Sequence, residues 1–92
     1  MTLLAIDDDP VQVELLRIAC ESLDYPKIEF LQAQDVKSGL RLAGESVVDL
    51  VLTDHHLPDG TAFDVVSKVK DLNPQIAIAV MTAYDDIREA VT

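Results

Sequence analysis

Four short apolar runs punctuate the chain, at positions 3–6, 27–33, 49–53 and 76–80. Each has the length of a strand, and each is followed by residues whose apolar positions recur every three or four places, the period of a helix. Behind the first run, Asp9 stands as an N-cap with Pro10 at the first helical position, and Val11, Leu15, Ile18 and Ala19 repeat at helical spacing. That arrangement predicts a helix over 10–22. Behind the second run, Asp35 caps a helix carrying Val36, Leu40 and Ala43 on one face, and Gly44 stands where such a helix ends. Behind the third, Ala62, Val65, Val66, Val69 and Leu72 mark a helix closed by Asn73 and Pro74, because the residue before a proline is pushed out of helical geometry. Behind the fourth, Ile87, Ala90 and Val91 begin a last helix.

Strands alternating with helices over short connections predict the α/β class with an open, doubly wound parallel sheet, since parallel neighbours need a crossover and that crossover is right-handed. The nearly unbroken apolar character of runs three and four suits strands buried on both faces. No repeat, linker or low-complexity tract divides the chain, so its 92 residues make one small domain with one core.

Composition narrows the functional classes. Apolar residues make up 49% of the chain and aromatic ones only 4%, which predicts a folded globule with an aliphatic core. A formal net charge of -10, with seven scattered Lys and Arg, repels nucleic-acid phosphates and anionic lipid, so neither direct nucleic-acid contact nor membrane contact is expected. The lone Cys20 has no intramolecular disulfide partner, and the opening residues form neither a basic leader nor a long apolar run. The expected setting is therefore reducing and cytoplasmic, with Cys20 a small helix residue.

In an open sheet of this kind, ligands bind beyond the carboxyl ends of the strands, where strand order reverses. The first run ends in Asp7, Asp8 and Asp9, the third in Thr53 and Asp54, and the fourth is followed by Met81 and Thr82. If those strands are neighbours, carboxylates and a hydroxyl converge on one crevice. Clustered carboxylates repel one another and a hard cation relieves them, with Mg2+ suited to one or two carboxylates, water and a phosphate oxygen.

The stretch TDHHLPDG at 53–60 admits three readings. A histidine metal site is disfavoured because adjacent side chains point apart and the chain has no other histidine to join His55 and His56. A phosphatase of the haloacid dehalogenase type would need an aspartate where Leu57 stands, and Asp59-Gly60 reads better as a turn into the next helix. The third reading is an aspartate that accepts a phosphoryl group.

LLAIDDDP, LVLTDHHLPDG and IAIAVMTAY, in that order and at successive strand ends, resemble the receiver domain of two-component response regulators. The resemblance implies a flavodoxin-like receiver fold and a phosphoacceptor rather than a conventional enzyme. It makes Asp54 the nucleophile that takes a phosphoryl group from a phosphohistidine on a sensor histidine kinase or phosphotransfer protein. Asp8 and Asp54 would bind Mg2+ directly, Asp7 through a water, and His56 through its backbone carbonyl, while the Thr82 hydroxyl would turn onto the phosphoryl group. Bulky His56 and Tyr84 would slow its loss.

The family pattern continues through a fifth strand ending in a lysine and a fifth helix, and residues 83–92 hold no counterpart of that lysine. The expectation is a receiver domain over 1–92, incomplete at its C-terminus and lacking strand five and helix five. Such a chain leaves its fourth strand as an edge, which predicts self-association through the strand-four and helix-four region. The rival reading is a receiver-like scaffold, an interaction or dimerisation module that keeps the fold without turning over phosphate.

Overall fold

The computed structural model describes residues 1–23 and 27–81. Its elements are β1 (Thr2–Ile6), α1 (Pro10–Ser22), β2 (Glu29–Ala33), α2 (Val36–Glu45), β3 (Leu50–Asp54), a small hairpin of β4 (His56–Leu57) and β5 (Gly60–Thr61), α3 (Ala62–Leu72) and β6 (Ala77–Met81). The expected last helix, Thr82 and Tyr84 lie outside the described residues.

β2, β1, β3 and β6 form one sheet in that order, every pair parallel. The chain steps from β1 outward to β2, then crosses back over β1 to β3 and on to β6. Right-handed crossovers therefore place α1 on one face and α2 with α3 on the other. This is the expected doubly wound, flavodoxin-like arrangement, with strand order reversing between β1 and β3.

The core lies under α2 and α3. Leu4, Ile6 and Val51 from the sheet meet Val36 and Ala43 of α2 and Val65 and Val69 of α3, with Ala33, Val48 and Ile76 closing the ends. Aliphatic side chains dominate, as the scarcity of aromatics requires. Leu72, although on the predicted face of α3, closes that helix and is exposed.

α1 starts and stops where its sequence signals predict. Asp9 accepts from the Val11 amide and Pro10 occupies the first turn. The face it buries is not the expected one: Val13 is buried, whereas Val11, Leu15 and Ile18 are 65%, 57% and 50% exposed. Two ridges of α1 carry apolar residues on opposite sides of its axis. Val13, Leu16, Arg17 and Cys20 form the sheet-facing one and Val11, Leu15 and Ile18 the outer one, so hydrophobic spacing alone favours the wrong ridge. Arg17 keeps its guanidinium at the surface, paired with Glu14 and Glu21.

α2 likewise departs from expectation at its end. It runs through Gly44 to Glu45, and the Ser46 amide donates to the Leu42 carbonyl at 3.0 Å. The chain leaves in extended geometry at Ser46, so no left-handed residue is needed and Gly44 is an ordinary helical position. A Cβ at Gly44 would meet nothing within 4 Å. Gly44→Ala should therefore stabilise the fold by about 0.5–1 kcal/mol through helix propensity alone. Chemical denaturation midpoints check this, and a loss of stability would show that the end of α2 is not helical.

Candidate functional site

The carboxyl ends of β1 and β3 meet at the reversal of strand order, and the side chains there are acidic. Asp7 directly follows β1 and its amide donates to the Ala33 carbonyl at 2.9 Å, adding one rung to the β1–β2 pairing. The Asp7 carboxylate accepts from the Asp9 amide at 2.9 Å. Asp9 itself is committed to the N-cap of α1, accepting from Val11 at 3.0 Å, which leaves Asp7 and Asp8 to face the crevice.

Asp54 is the last residue of β3. One of its carboxylate oxygens accepts from the His55 amide at 2.8 Å. Beneath it, fully buried Thr53 donates its hydroxyl to the Asp54 carbonyl at 3.0 Å. A ligand oxygen from each of Asp7, Asp8 and Asp54 lies within 4.8 Å of the others. Across the sheet, Met81 stands opposite Asp54.

The three carboxylates differ in surroundings. Asp8 is exposed, Asp54 half-buried and Asp7 only 5% exposed. Burial raises the proton affinity of Asp7 above the usual carboxylate range; the Asp9 amide opposes this, and the charges of Asp54, Asp8 and Asp9 add to it. A cluster held against its own repulsion, with hard oxygen donors and one face open, fits a small divalent cation such as Mg2+. Softer ions prefer nitrogen or sulfur, and among the described residues this group of three carboxylates contains no histidine or cysteine.

Contrary to the expectation that adjacent side chains point apart, the His55 and His56 rings lie against each other, centroids 4.4 Å apart, because the chain turns into the hairpin there, and Phe63 meets His55 edge-on at 5.8 Å. The histidine reading fails instead for want of further ligands, since among the described residues neither ring joins a group of three metal-ligating side chains. The phosphatase reading fails at Leu57, which packs against the core where a nucleophile would have to be. His56, whose carbonyl the resemblance assigns to the metal, opens the β4–β5 hairpin immediately beyond Asp54. Thr82 belongs to the residues not described.

One residue beside the site has a role that no local pattern discloses. Asp59, at the tip of the hairpin, accepts from the Val36 amide at 2.7 Å and the Lys37 amide at 3.1 Å, capping the start of α2. A capping motif is recognised by residues three or four apart, and this one joins positions separated by more than twenty.

Among the described residues, no helix is long and apolar enough to cross a membrane. The family model for the response regulator receiver domain matches residues 3–92. The chain is similar to the response regulator protein PilR of Pseudomonas aeruginosa, 36% identical over 88 residues, which are 96% of this chain and 19% of PilR. It is similar also to the probable transcriptional regulatory protein TcrX of Mycobacterium tuberculosis, 31% identical over 91 residues, 99% of this chain and 38% of TcrX. The chain thus spans less than two-fifths of either relative. Among solved structures, a response regulator receiver domain protein from Clostridium thermocellum superposes with a TM-score of 0.82 at 26% identity, covering 98% of this chain and 71% of that one. The MaeR response regulator bound to beryllium trifluoride gives 0.82 at 19% identity, covering 99% and 76%.

Proposed function

The chain belongs to the response regulator receiver domain family, and from this premise we propose that it is a phosphoacceptor switch that takes a phosphoryl group onto Asp54. The observation that supports this best is the convergence of Asp54 with Asp7 and Asp8 within 4.8 Å at the ends of β3 and β1. The family is one of signalling domains, and its reaction here is stoichiometric transfer onto the chain.

In that transfer a carboxylate oxygen of Asp54 attacks the phosphorus of a phosphohistidine. An O–P bond forms as the P–N bond breaks, and the electron pair leaves with the imidazole nitrogen. The His55 amide, holding one Asp54 oxygen, orients the carboxylate so that the other oxygen faces the incoming group. When bound, Mg2+ supplies neutralisation of the charge on the transferred group, with Asp8 and Asp54 as direct ligands, Asp7 acting through a water and His56 through its carbonyl. Thr82, which follows Met81 in the sequence, offers its hydroxyl to the phosphoryl group.

The donor in this reading is a sensor histidine kinase or phosphotransfer protein in the cytoplasm. The outer ridge of α1, with Val11, Leu15 and Ile18 half or more exposed, starts one turn from the carboxylates and has the spacing to seat an apolar helix of such a partner. The net charge of -10 argues against direct nucleic-acid contact. In a longer protein of the kind the chain resembles, the switch would act on an output region. Self-association through β6 belongs to the same proposal; β6 pairs with β3 alone among the described residues, and Ala77, Ala79 and Val80 on it are exposed.

Intact mass after incubation with Mg2+ and acetyl phosphate tests the central reading. The expected result is a gain of one phosphoryl group that Asp54→Asn abolishes. No gain, in a sample shown folded by circular dichroism, would overturn it in favour of the scaffold.

A further inference from the structure

The start of α2 has more carboxylate than a helix needs. Asp35, its N-cap, accepts from the Ser38 amide at 2.8 Å and through its carbonyl from the Gly39 amide at 3.1 Å. That is enough to begin a helix, and in an ordinary one the two earlier amides face water. Here both are taken by Asp59, one oxygen each, from the hairpin that follows β3 in the chain.

The position of Asp59 gives this arrangement its significance. The segment 55–61 leaves Asp54, pairs His56 with Thr61 and Leu57 with Gly60, and is closed by the Ala62 amide on the His55 carbonyl at 3.0 Å. Pro58 and Asp59 form its tip. The hairpin lies directly on the first turn of α2: a Cβ at Gly60 would fall 3.1 Å from Val36 Cγ2. Its base is fixed by Asp54 in the sheet, its inner side by Leu57 on the core, and its tip by Asp59 on the positive end of a helix, where a carboxylate is held most firmly. His56 sits between base and tip.

We propose that Asp59 is a positioning residue: by clamping the tip of the hairpin to α2 it sets the position of the His56 main chain and hence the affinity of the carboxylate site for a divalent cation. The inference rests on the metal reading given above and adds to it a second element, α2, coupled to the site. Coupling is reciprocal, so the cation must tighten the clamp by the factor by which the clamp tightens the cation.

The test is Mg2+ titration calorimetry on the wild-type chain, Asp59→Ala, Asp59→Asn and Asp35→Ala, with amide hydrogen exchange at Val36 and Lys37 in the presence and absence of Mg2+. Asp35→Ala weakens the same helix end without touching the hairpin, and so controls for lost stability. Asp59→Ala should weaken Mg2+ binding about tenfold, and Asp35→Ala should leave it within about twofold. Mg2+ should slow exchange at Val36 and Lys37 in the wild type and fail to do so in Asp59→Ala. Equal effects of Asp59→Ala and Asp35→Ala, or wild-type affinity in Asp59→Ala, would overturn the inference while leaving the metal site standing. A wild-type chain that takes up no Mg2+ would overturn the metal reading and the clamp with it. If Asp59→Ala is unfolded by circular dichroism, Asp59→Asn, which keeps one acceptor, decides: an intermediate affinity supports the clamp and wild-type affinity refutes it.

Discussion

Mg2+ at a hundredfold excess over its dissociation constant should raise the stability of the wild-type chain by about 2.7 kcal/mol, and Asp54→Asn should invert the balance. Without metal, three carboxylates within 4.8 Å repel one another across a partly buried crevice. Removing the Asp54 charge relieves Asp7, so the metal-free variant should be more stable than wild type by about 1 kcal/mol. The same substitution removes a direct ligand, and the response to Mg2+ should vanish. Thermal unfolding with Mg2+ and with a chelator measures both, and an Asp54→Asn chain that gains as much from Mg2+ as wild type would refute the site.

The pH dependence has a definite sign. The Asp7 carboxyl binds its proton more tightly in the folded state than the ordinary value of 3.8. Without metal, folding is therefore favoured as pH falls through the window between the raised value and 3.8, and that contribution is lost as pH rises through the raised value. Asp35 acts the other way. Hydrogen bonds from the Ser38 hydroxyl and amide hold it below 3.8, so its contribution is present above 3.8 and lost as pH falls toward the lowered value. Mg2+ competes with the proton on Asp7, and its affinity should fall on acidification.

The second large effect lies beneath the site. Ile6, fully buried, directly precedes Asp7 and touches the first turns of α2. Ile6→Ala should cost about 3–4 kcal/mol, a large part of the roughly 5–14 kcal/mol expected for a chain of this size. The close approach of α2 to β1 makes the position diagnostic. A Cβ at Gly39 would lie 2.5 Å from Ile6 Cδ1 and 3.0 Å from Cγ1. Gly39→Ala gains helix propensity of about 1 kcal/mol, but overpacking against Ile6 outweighs it, for a net loss of about 1 kcal/mol. In an Ile6→Val background the tightest contact is gone, and Gly39→Ala should become stabilising. The double-mutant cycle should show a coupling of about 1–2 kcal/mol. Additive effects in denaturation midpoints would mean that α2 does not ride on Ile6.

How much of this was legible beforehand depended on the range of the interaction. The strand-sized runs and the Asp9-Pro10 start of α1 are local, as is the Asn73-Pro74 stop of α3, and each appears as the sequence predicts. The acidic site was legible too, because period and connection length imply a doubly wound sheet, and such a sheet brings the ends of its first and third strands together. The inner face of α1 was not legible: apolar residues line both sides of that helix, and only the sheet selects Val13 over Val11, Leu15 and Ile18. Nor was the end of α2, where Gly44 offers a stop that the backbone passes through.

Local residue order thus settled which elements form and which carboxylates reach the crevice, since both follow from backbone periodicity and steric rules acting over a few positions. The raised proton affinity of Asp7, the contact of Gly39 with Ile6 and the capture of the α2 amides by Asp59 were decided only by tertiary structure. Each depends on the distance between groups far apart in the chain, and that distance exists only once the sheet has brought them together.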